Sequence, residues 1–435
     1  MTRRSPTLLR PALAAALALG LACDPEDGRD EPASARAEAD PAPAASLARA
    51  AAPSTAAGKQ KEEHGEELLT SRTMPGAKAG FERVLALVEE SYVDDKVDLD
   101  YLYTGAIEGV LARLIQLKGH PVNTLLGPEE LAELVHGTKG TIVGVGVMIE
   151  HVADVVVIRD VIPGGPAQKA GLRRGDRILG IDGARVQEMG LPEVVARIRG
   201  EAGTEVGLFV QRDTEEWTEK LRRDTVQIQN VEARLVGDGV GYLRLRGFAE
   251  TTAEELDAAI QGLQKEGMTR LVIDLRSCPG GLLDAAIAVT GRFLGKDEVI
   301  MTMIDRKKGE TTLRAEVDGP WRSLPLAVLI GPYTASSAEI FADAIATHKR
   351  GTLVGQETMG KGSIESVLDL EGGWAIKLST GRFQGASGEP RMGKGVRPTL
   401  PLVAEASDKH TPIAEVDPAN DPVLELAVSW LGDRP

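Results

Sequence analysis

Two residues in the second half of the sequence have side chains that could act together in covalent catalysis. Ser336 lies in segment 333–340 (YTASSAEI), just before a predicted helix, and Lys361 lies between Gly360 and Gly362. A serine hydroxyl is a weak nucleophile that needs a base beside it, and a lysine amine can be that base where desolvation disfavours its ammonium form. The positive end of the helix dipole would favour an anion at Ser336. Taken alone, each residue has a simpler interpretation, namely a helix N-cap and a solvated surface lysine.

A glycine-rich turn follows an apolar strand at 274–281 (DLRSCPGG) and leads into a predicted helix. Main-chain N–H groups at the start of a helix are free to bind an anion, so this turn suits a developing oxyanion. The same pattern is also typical of an ordinary tight turn. Asp274 and Arg276 are predicted to form a buried structural ion pair rather than to take part in the chemistry.

Residues 144–212 resemble a PDZ domain of the bacterial protease type. The matching segments are Gly144-Val145-Gly146-Val147, 166–172 (PAQKAGL), 175–179 (GDRIL) and 182–183 (DG). The glycines of the first segment let main-chain N–H groups converge on a chain-terminal carboxylate, while the bound peptide adds as a strand and apolar side chains select its last residue. The alternative is that the PDZ unit binds no peptide and only packs on the remaining chain and gates it.

Together these segments resemble the C-terminal processing peptidases, a family of PDZ-containing serine peptidases. In that family the nucleophile lies in an Ala-Ser-Ala-Ser-Glu-Ile stretch, and a lysine in a Gly-Lys-Gly turn follows 25 residues later, which is the spacing from Ser336 to Lys361. The resemblance covers residues 81–432 and implies that Ser336 is the nucleophile and Lys361 the general base. It also implies an oxyanion hole made by main-chain N–H groups of the Gly280-Gly281 turn and of Ser337.

Several positions depart from the family's pattern. Cys278 stands where asparagine is usual, Ala338 replaces a second serine that is not the nucleophile, and Glu365 replaces a glutamine that orients the lysine. A carboxylate can also orient Lys361, so Glu365 is counted among the catalytic residues. If ionised, however, it would favour the ammonium form and weaken the base. Three alternatives follow: a protonated Glu365 in a dry site, a pH optimum moved upward, or low activity.

The N-terminus is typical of an exported protein. Three arginines precede an apolar run at 11–22 that is too short to span a bilayer but fits a secretory signal, and Cys23 follows at once. The junction resembles a bacterial lipoprotein cleavage box. This resemblance implies a lipidated Cys23, a membrane anchor, and a periplasmic or cell-envelope location. Ordinary signal cleavage nearby is the alternative.

The patterns along the chain predict a multi-domain α/β fold. Helical periodicity begins at Phe81, and beyond residue 225 strands alternate with helices, which favours a layered α/β core. Acidic, Ala- and Pro-rich segments with few large apolar residues are typical of disorder. The predicted parts are a signal peptide (1–22), a disordered linker (23–75), a helical N-terminal region (76–136), a PDZ domain (137–213) and a peptidase core with a C-terminal helix (214–435).

Composition disfavours several other functions. The net charge of -15 argues against nucleic-acid binding. The six histidines show no metal-binding spacing such as His-Glu-x-x-His, so no metal or other cofactor is expected. His348, on the helix after Ser336, is an alternative base, although a partner for the helix C-terminus is the better interpretation.

The leading hypothesis is a serine endopeptidase that captures proteins with free apolar C-termini and cuts upstream, with an activating partner protein left open. The alternative is a catalytically weak, PDZ-containing binding or scaffold lipoprotein on the same fold. Glu365 and Cys278 are the residues that favour this alternative.

Overall fold

The computed structural model describes residues 74–94, 96–118, 123–152, 155–402 and 416–432. It divides into two compact units, one drawn from residues 19–121 and the other mainly from residues 122–435. The predicted signal peptide, Cys23 and the predicted linker as far as residue 73 lie outside the described residues. Within the described ranges, no helix is both long and apolar enough to cross a membrane.

The first unit contains helices α1 (Ala77–Ser91) and α2 (Leu99–Lys118). Both follow the helical spacing of apolar residues that begins at Phe81. The rings of Phe81 and Tyr103 meet edge to face, with 6.4 Å between their centroids, and this contact joins the two helices.

The chain then enters the second unit through strand β1 (Thr124–Leu126) and helix α3 (Pro128–Thr138). β1 pairs antiparallel with a strand near the end of the peptidase core, so that Leu125 lies opposite Ile376. The apolar cluster around Leu126 and Leu134 fixes α3 against that strand. The sequence pattern did not predict β1, which extends a sheet far away in sequence.

The PDZ region is inserted between the two strands of a short ribbon. β2 (Thr141–Gly144) pairs antiparallel with β9 (Asp224–Gln227), so that Gly144 lies opposite Asp224. The inserted chain forms a sheet in the order β3-β4-β5-β7-β8, with β6 paired to β5. Its elements are β3 (Val147–Val152), β4 (Val155–Val161), α4 (Pro166–Lys169), β5 (Arg177–Ile181), β6 (Ala184–Arg185), α5 (Leu191–Ile198), β7 (Glu205–Arg212) and β8 (Glu215–Arg222).

Strand β7 shows why this sheet has one core-facing side. Its apolar residues Val206, Leu208 and Val210 alternate with less buried ones, as expected for a strand with a single buried face. These three side chains belong to a cluster that also contains Val145. The PDZ unit therefore has a hydrophobic core of its own.

The peptidase core is built on a six-stranded sheet in the order β10-β11-β12-β15-β16-β19. Only the pairing of β10 with β11 is antiparallel. The strands are β10 (Val231–Gly237), β11 (Val240–Leu245), β12 (Arg270–Asp274), β15 (Leu326–Ile330), β16 (Thr352–Gly355) and β19 (Leu400–Pro401). The helices packed on them are α6 (Thr252–Lys265), α7 (Leu283–Gly291), α8 (Ser337–Thr347) and α9 (Pro422–Gly432).

Helices cover both faces of this sheet. Residues of α6, α7 and α8 share one apolar cluster with the sheet, and residues of α9 share another with the opposite face. All five residues of β15 are consequently buried, as is usual for a central parallel strand. This arrangement confirms the predicted α/β fold class.

A second sheet lies beside the first and carries the lysine segment. In it β18 (Ala375–Gly385) pairs with β1, with β13 (Val299–Asp305) and with β17 (Ser363–Asp369), and β14 (Gly309–Arg314) pairs with β13. Ile340 and Ala344 of α8 pack against Ile300 and Phe383 of this sheet. Helix α8 therefore contacts both sheets.

Candidate active site

Ser336 lies in the turn that joins β15 to α8, immediately before the helix. Its φ of 55° is in the left-handed region, which costs a non-glycine residue on the order of 1 kcal/mol or more. Such a conformation persists only where the surroundings enforce it. Here the hydroxyl of Thr334, two residues earlier, donates to the carbonyl of Leu275 at 2.8 Å and accepts from Gly331 N–H at 3.0 Å.

Glu339 holds the serine turn and the lysine turn together. Its Oε2 accepts hydrogen bonds from the N–H groups of Ser336 and Lys361, both at 2.8 Å. Its Oε1 accepts from Gly360 N–H at 2.7 Å and from the Thr358 hydroxyl at 2.5 Å. The main-chain nitrogens of the predicted nucleophile and the predicted base are thus bound to one oxygen atom.

Glu339 is fully buried, and burial raises the pKa of its carboxyl above the usual value, although its four hydrogen bonds oppose that rise. The sequence reasoning did not assign it a role. The signal was present, since Ser336-x-x-Glu339 is the pattern of a helix capping box, in which the acidic side chain bonds the N-cap N–H.

Lys361 is 12% exposed and its Nζ lies 3.4 Å from Oε2 of Glu365, which is fully buried on β17. The other carboxylate oxygen, Oε1, accepts a 2.5 Å hydrogen bond from the Ser363 hydroxyl. Oε2 has no hydrogen-bond partner within the part of the chain that the structure describes. Glu365 therefore lies close enough to contact Lys361, and its role in orienting the lysine stays a prediction.

The glycines beside Lys361 are needed for different reasons. Gly360 has a φ of 82°, which favours glycine. Gly362 has no such φ, but a Cβ there would lie 2.2 Å from the main-chain nitrogen of Met392. The tight turn predicted from sequence is real at Gly360, whereas Gly362 allows close packing of two main-chain segments.

The Gly280-Gly281 turn lies against the serine. A Cβ on Gly280 would fall 2.9 Å from both the Cβ of Ser336 and the nitrogen of Ser337, and a Cβ on Gly281 would fall 2.3 Å from the carbonyl oxygen of Phe248. Both glycines have left-handed φ values, 101° and 151°. The Ser337 hydroxyl donates to Gly281 O at 2.9 Å and ties the two turns together.

Two of the three predicted oxyanion donors have available N–H groups. Within the described ranges, the N–H groups of Gly281 and Ser337 donate to no main-chain carbonyl. The N–H of Gly280 interacts with the thiol of Cys278, where it partly offsets the effect of burial on that thiol. Gly280 and Gly281 were both predicted as oxyanion donors, but in the structure only the N–H of Gly281 is available of the two.

Cys278 faces the core rather than the site. Its side chain is fully buried within the apolar cluster below the sheet, and burial raises the pKa of the thiol to about 12. The thiol is therefore protonated at neutral pH. The residue that replaces the family's asparagine fills space beneath the turn.

Asp274 and Arg276 form the buried structural pair that the sequence predicted. Arg276 donates to Asp274 Oδ2 at 2.6 Å and to Asp421 Oδ2 at 2.7 Å. Although burial alone would raise the pKa of Asp274, the Arg276 guanidinium holds it below the usual range. Arg276 thereby links the oxyanion turn to the residue just before α9.

The predicted peptide-binding segment lies between the ribbon and the PDZ sheet. Gly144 ends β2, Val145 is buried in the PDZ core, Gly146 has a φ of 77°, and Val147 begins β3. The carbonyls of Val145 and Gly146 accept from Ala167 N–H at 2.8 Å and Ile162 N–H at 2.9 Å. Among the described strands, β3 is bonded only to β4, so its outer edge can accept a further strand.

His348 is not placed to act on Ser336. It caps the C-terminal end of α8, about 18 Å along the helix axis from the serine, and its Nε2 lies 2.7 Å from the carbonyl of Val299. Within the described residues, no cluster of three or more His, Cys, Asp or Glu side chains could hold a metal ion.

A peptidase core with an inserted PDZ domain is also what the family models match. Peptidase family S41 matches residues 239–402, and a PDZ domain matches residues 157–212. The segments that carry Ser336, Lys361 and the Gly280-Gly281 turn lie inside the first range, and most of the PDZ sheet lies inside the second.

Carboxy-terminal processing proteases are similar to the chain over most of its length. One from Bartonella bacilliformis is 32% identical over 338 residues, which is 76% of each chain. One from Picosynechococcus is 34% identical over 281 residues, 63% of this chain and 67% of that protein. One from Bacillus subtilis is 32% identical over 306 residues, 70% of this chain and 65% of that protein.

The photosystem II D1 C-terminal processing protease is a similar solved structure, with 31% identity and a TM-score of 0.47, covering 73% of this chain and 86% of that one. The chain belongs to the carboxy-terminal processing proteases of peptidase family S41, which are serine-type peptidases. The predicted family membership is confirmed.

Proposed function

We propose that this chain is an endopeptidase in which Ser336 is the nucleophile and Lys361 the general base. The observation that carries the proposal is the shared contact of both residues with Glu339, which fixes the serine and lysine turns side by side. Catalysis by such a pair requires the base to lie within reach of the hydroxyl and to be shielded from water. Both residues are largely buried.

In this mechanism, neutral Lys361 Nζ removes the proton from Ser336 Oγ as the oxygen attacks the scissile carbonyl carbon. The N–H groups of Gly281 and Ser337 stabilise the resulting oxyanion. The ammonium of Lys361 then protonates the leaving amine and an acyl-enzyme remains. Water, deprotonated by Lys361, attacks the ester, releases the acid product and restores the Ser336 hydroxyl.

The test uses the purified chain and an unfolded protein with an apolar C-terminus. Ser336→Ala and Lys361→Ala are each expected to abolish cleavage, by several orders of magnitude in rate, with unchanged circular dichroism. Ser337→Ala is the comparison variant: it keeps the main-chain N–H but loses the hydroxyl bond to Gly281 O, so it should be less active than the wild type and far more active than Ser336→Ala. An inactive Ser337→Ala together with an active Ser336→Ala would show that the serine is wrongly assigned.

The PDZ domain is proposed to select substrates by their free, apolar C-termini. The unpaired edge of β3 supports this role, because a peptide can extend the sheet there. The inactive Ser336→Ala chain should bind labelled peptides that end in an apolar residue and lose them when the terminal carboxylate is amidated. Equal fluorescence anisotropy for acid and amide would remove carboxylate capture from the proposal.

The alternative function, a catalytically weak binding protein, is favoured by one observation. Glu365 lies 3.4 Å from Lys361 at a position where the family has an amide, and an ionised carboxylate there would favour the ammonium form, which cannot act as a base. Peptide binding without cleavage, between pH 6 and pH 10 and with no added partner, would support that alternative. Cleavage by the purified chain would also show that no activating partner is required.

Export and anchorage rest on the N-terminal sequence alone. We propose that the chain is exported to the periplasm or cell envelope and is held on a membrane by a lipid on Cys23. Cys23→Ser should move the protein from the membrane fraction to the soluble fraction. Unchanged membrane association of that variant would exclude the lipid as the anchor.

A further inference from the structure

Residues 391–396, which follow β18 and are called here the covering segment, pack closely against the lysine turn. The N–H of Gly393 donates to the carbonyl of Gly360 at 2.8 Å. The N–H of Thr358 donates to the carbonyl of Val396 at 3.2 Å, and the Val396 N–H donates in return to the Thr358 hydroxyl at 2.7 Å. Three hydrogen bonds therefore join the covering segment to the turn that carries the predicted base.

A buried ion pair attaches the covering segment to helix α8. Arg391, the first residue of the segment, donates from Nη2 to Oδ1 of Asp343 at 2.5 Å, and the two side chains are only 9% and 4% exposed. The guanidinium also donates to the Ser387 hydroxyl at 2.8 Å and to the Gly395 carbonyl at 3.1 Å. Arg391 therefore binds both α8 and the far end of its own segment.

Helix α8 holds the lysine turn through two acids. Asp343 follows Glu339 by four residues, so both carboxylates lie on one face of the helix. Glu339 binds the lysine turn directly, whereas Asp343 binds the covering segment that packs on that turn. Asp343 also accepts hydrogen bonds from the N–H and the hydroxyl of Ser387, at 3.1 and 3.0 Å. Because α8 follows directly after Ser336, both acids fix the lysine turn relative to the serine.

We propose that Arg391 is a positioning residue for the reaction: by binding Asp343, it holds the covering segment on the lysine turn and so keeps the Lys361 amine in place for the serine. The inference rests on the Ser–Lys mechanism proposed above. Glu339 binds the turn through its N–H groups, and the covering segment binds it through the Gly360 carbonyl. Removing either member of a buried ion pair leaves the other charge without its partner, so the pair acts as one unit.

The first experiment measures kcat and KM for peptide cleavage by the full chain. Arg391→Met should lower kcat by about 10- to 100-fold, because a base displaced by about 1 Å loses rate on this scale. KM should change little, because the Arg391 side chain is buried away from substrate. Arg391→Lys can still pair with Asp343 but lacks the planar fork that also reaches Gly395, so its kcat should lie between those of the wild type and Arg391→Met.

The matched control is Arg306→Met, which removes an exposed arginine from the turn between β13 and β14 and should leave both constants unchanged. A kcat of Arg391→Met equal to that of the wild type would overturn the proposal. So would a loss that appears in KM alone, because that would show a role in binding substrate.

The second experiment tests whether Arg391 acts through Asp343. In a double-mutant cycle of Asp343→Asn and Arg391→Met, the loss of kcat in the double variant should be well below the product of the two single losses. A loss equal to that product would show that the two residues act independently and would overturn the proposal. Rates are compared well below the lowest unfolding midpoint, so that every variant is folded. If Arg391→Met does not fold, Arg391→Lys takes its place in the cycle.

A third measurement needs no activity. In the Ser336→Ala chain, amide hydrogen exchange of residues 358–362, followed by mass spectrometry, should become faster when Arg391 is replaced by Met, while exchange in the central strand β15 should not change. Equally faster exchange in β15 would show that Arg391 stabilises the whole core and would overturn the proposal.

The failure of this inference can be told apart from the failure of the Ser–Lys mechanism. Unchanged exchange at residues 358–362 would refute the role of Arg391 even if cleavage requires Ser336 and Lys361. Full activity of Lys361→Ala would instead refute the Ser–Lys mechanism, whatever the exchange experiment shows.

Discussion

Replacing Glu339 by glutamine is the sharpest test of how the site is assembled. The carboxylate accepts four hydrogen bonds from donors on two turns, two at each oxygen. Glutamine has the same shape but only one oxygen, so its NH₂ group must face two of these donors. The lower-cost orientation turns the NH₂ toward Thr358, whose hydroxyl can accept, and leaves the N–H of Gly360 without a partner.

The expected loss in rate for Glu339→Gln follows from that single lost hydrogen bond. A buried donor without an acceptor costs about 1–3 kcal/mol, which corresponds to a loss of about 5- to 150-fold in rate if the competent arrangement of the turns bears the cost. We expect the fall in kcat, because the lysine turn carries the base. KM should change little, because Glu339 has no path to substrate from its buried position.

The assay is steady-state cleavage at saturating peptide, with thermal unfolding measured in parallel. Glu310→Gln is the matched control, because Glu310 is exposed on β14. Glu339→Asp keeps the charge but shortens the reach, so it should also lose activity. A kcat within twofold of the wild type for Glu339→Gln would refute the view that this carboxylate holds the two turns in place.

Three further outcomes are expected. Arg276→Met should lower the free energy of unfolding by about 3–5 kcal/mol at pH 7. Because Arg276 lowers the pKa of Asp274, this loss of stability, measured in urea melts, should shrink as the pH falls through that lowered pKa. A loss of stability that does not depend on pH would contradict the pairing. Cys278 should not react with a thiol reagent in the folded Cys23→Ser chain at pH 8 and should react after unfolding, since burial raises its pKa to about 12; rapid labelling of the folded chain would contradict its place in the core. Gly280→Ala should abolish cleavage, because its Cβ would lie 2.9 Å from that of the serine, and a fully active variant would show that the turn lies elsewhere.

The sequence predicted the central part of the fold well because local and global signals agree there. β15 is a continuous apolar run, β12 has an apolar centre, and a helix follows the glycine turn after β12. Several of the strands that were missed lie at sheet edges, although β13, which was also missed, lies between β18 and β14. β8 (EEWTEKLR) and β14 (GETTLR) carry charged side chains into solvent, and such edges have little apolar pattern to detect. The short β1 depends on a partner about 250 residues away.

The residues of the candidate site also fall into those that a local sequence pattern predicts and those that only the fold brings together. Ser336, Lys361 and the glycine turn could be found because their spacing and neighbours are local in sequence. The pairing of Arg276 with Asp421 could not, because the two residues are 145 positions apart and only the fold brings their side chains together. Glu339 falls between these cases, since its spacing from Ser336 predicts a cap but not the bond to Lys361 that makes it a link between two turns.

Because the PDZ domain is inserted between β2 and β9, it could be deleted as one continuous segment. The chain leaves the core at Gly144 and returns at Asp224, which face each other across an antiparallel pair. A hairpin turn of a few residues could close that gap, and no strand of the six-stranded sheet would need to be rethreaded. If the PDZ domain selects substrates as proposed, a different domain inserted at this one place would change the choice of substrate without altering the peptidase core.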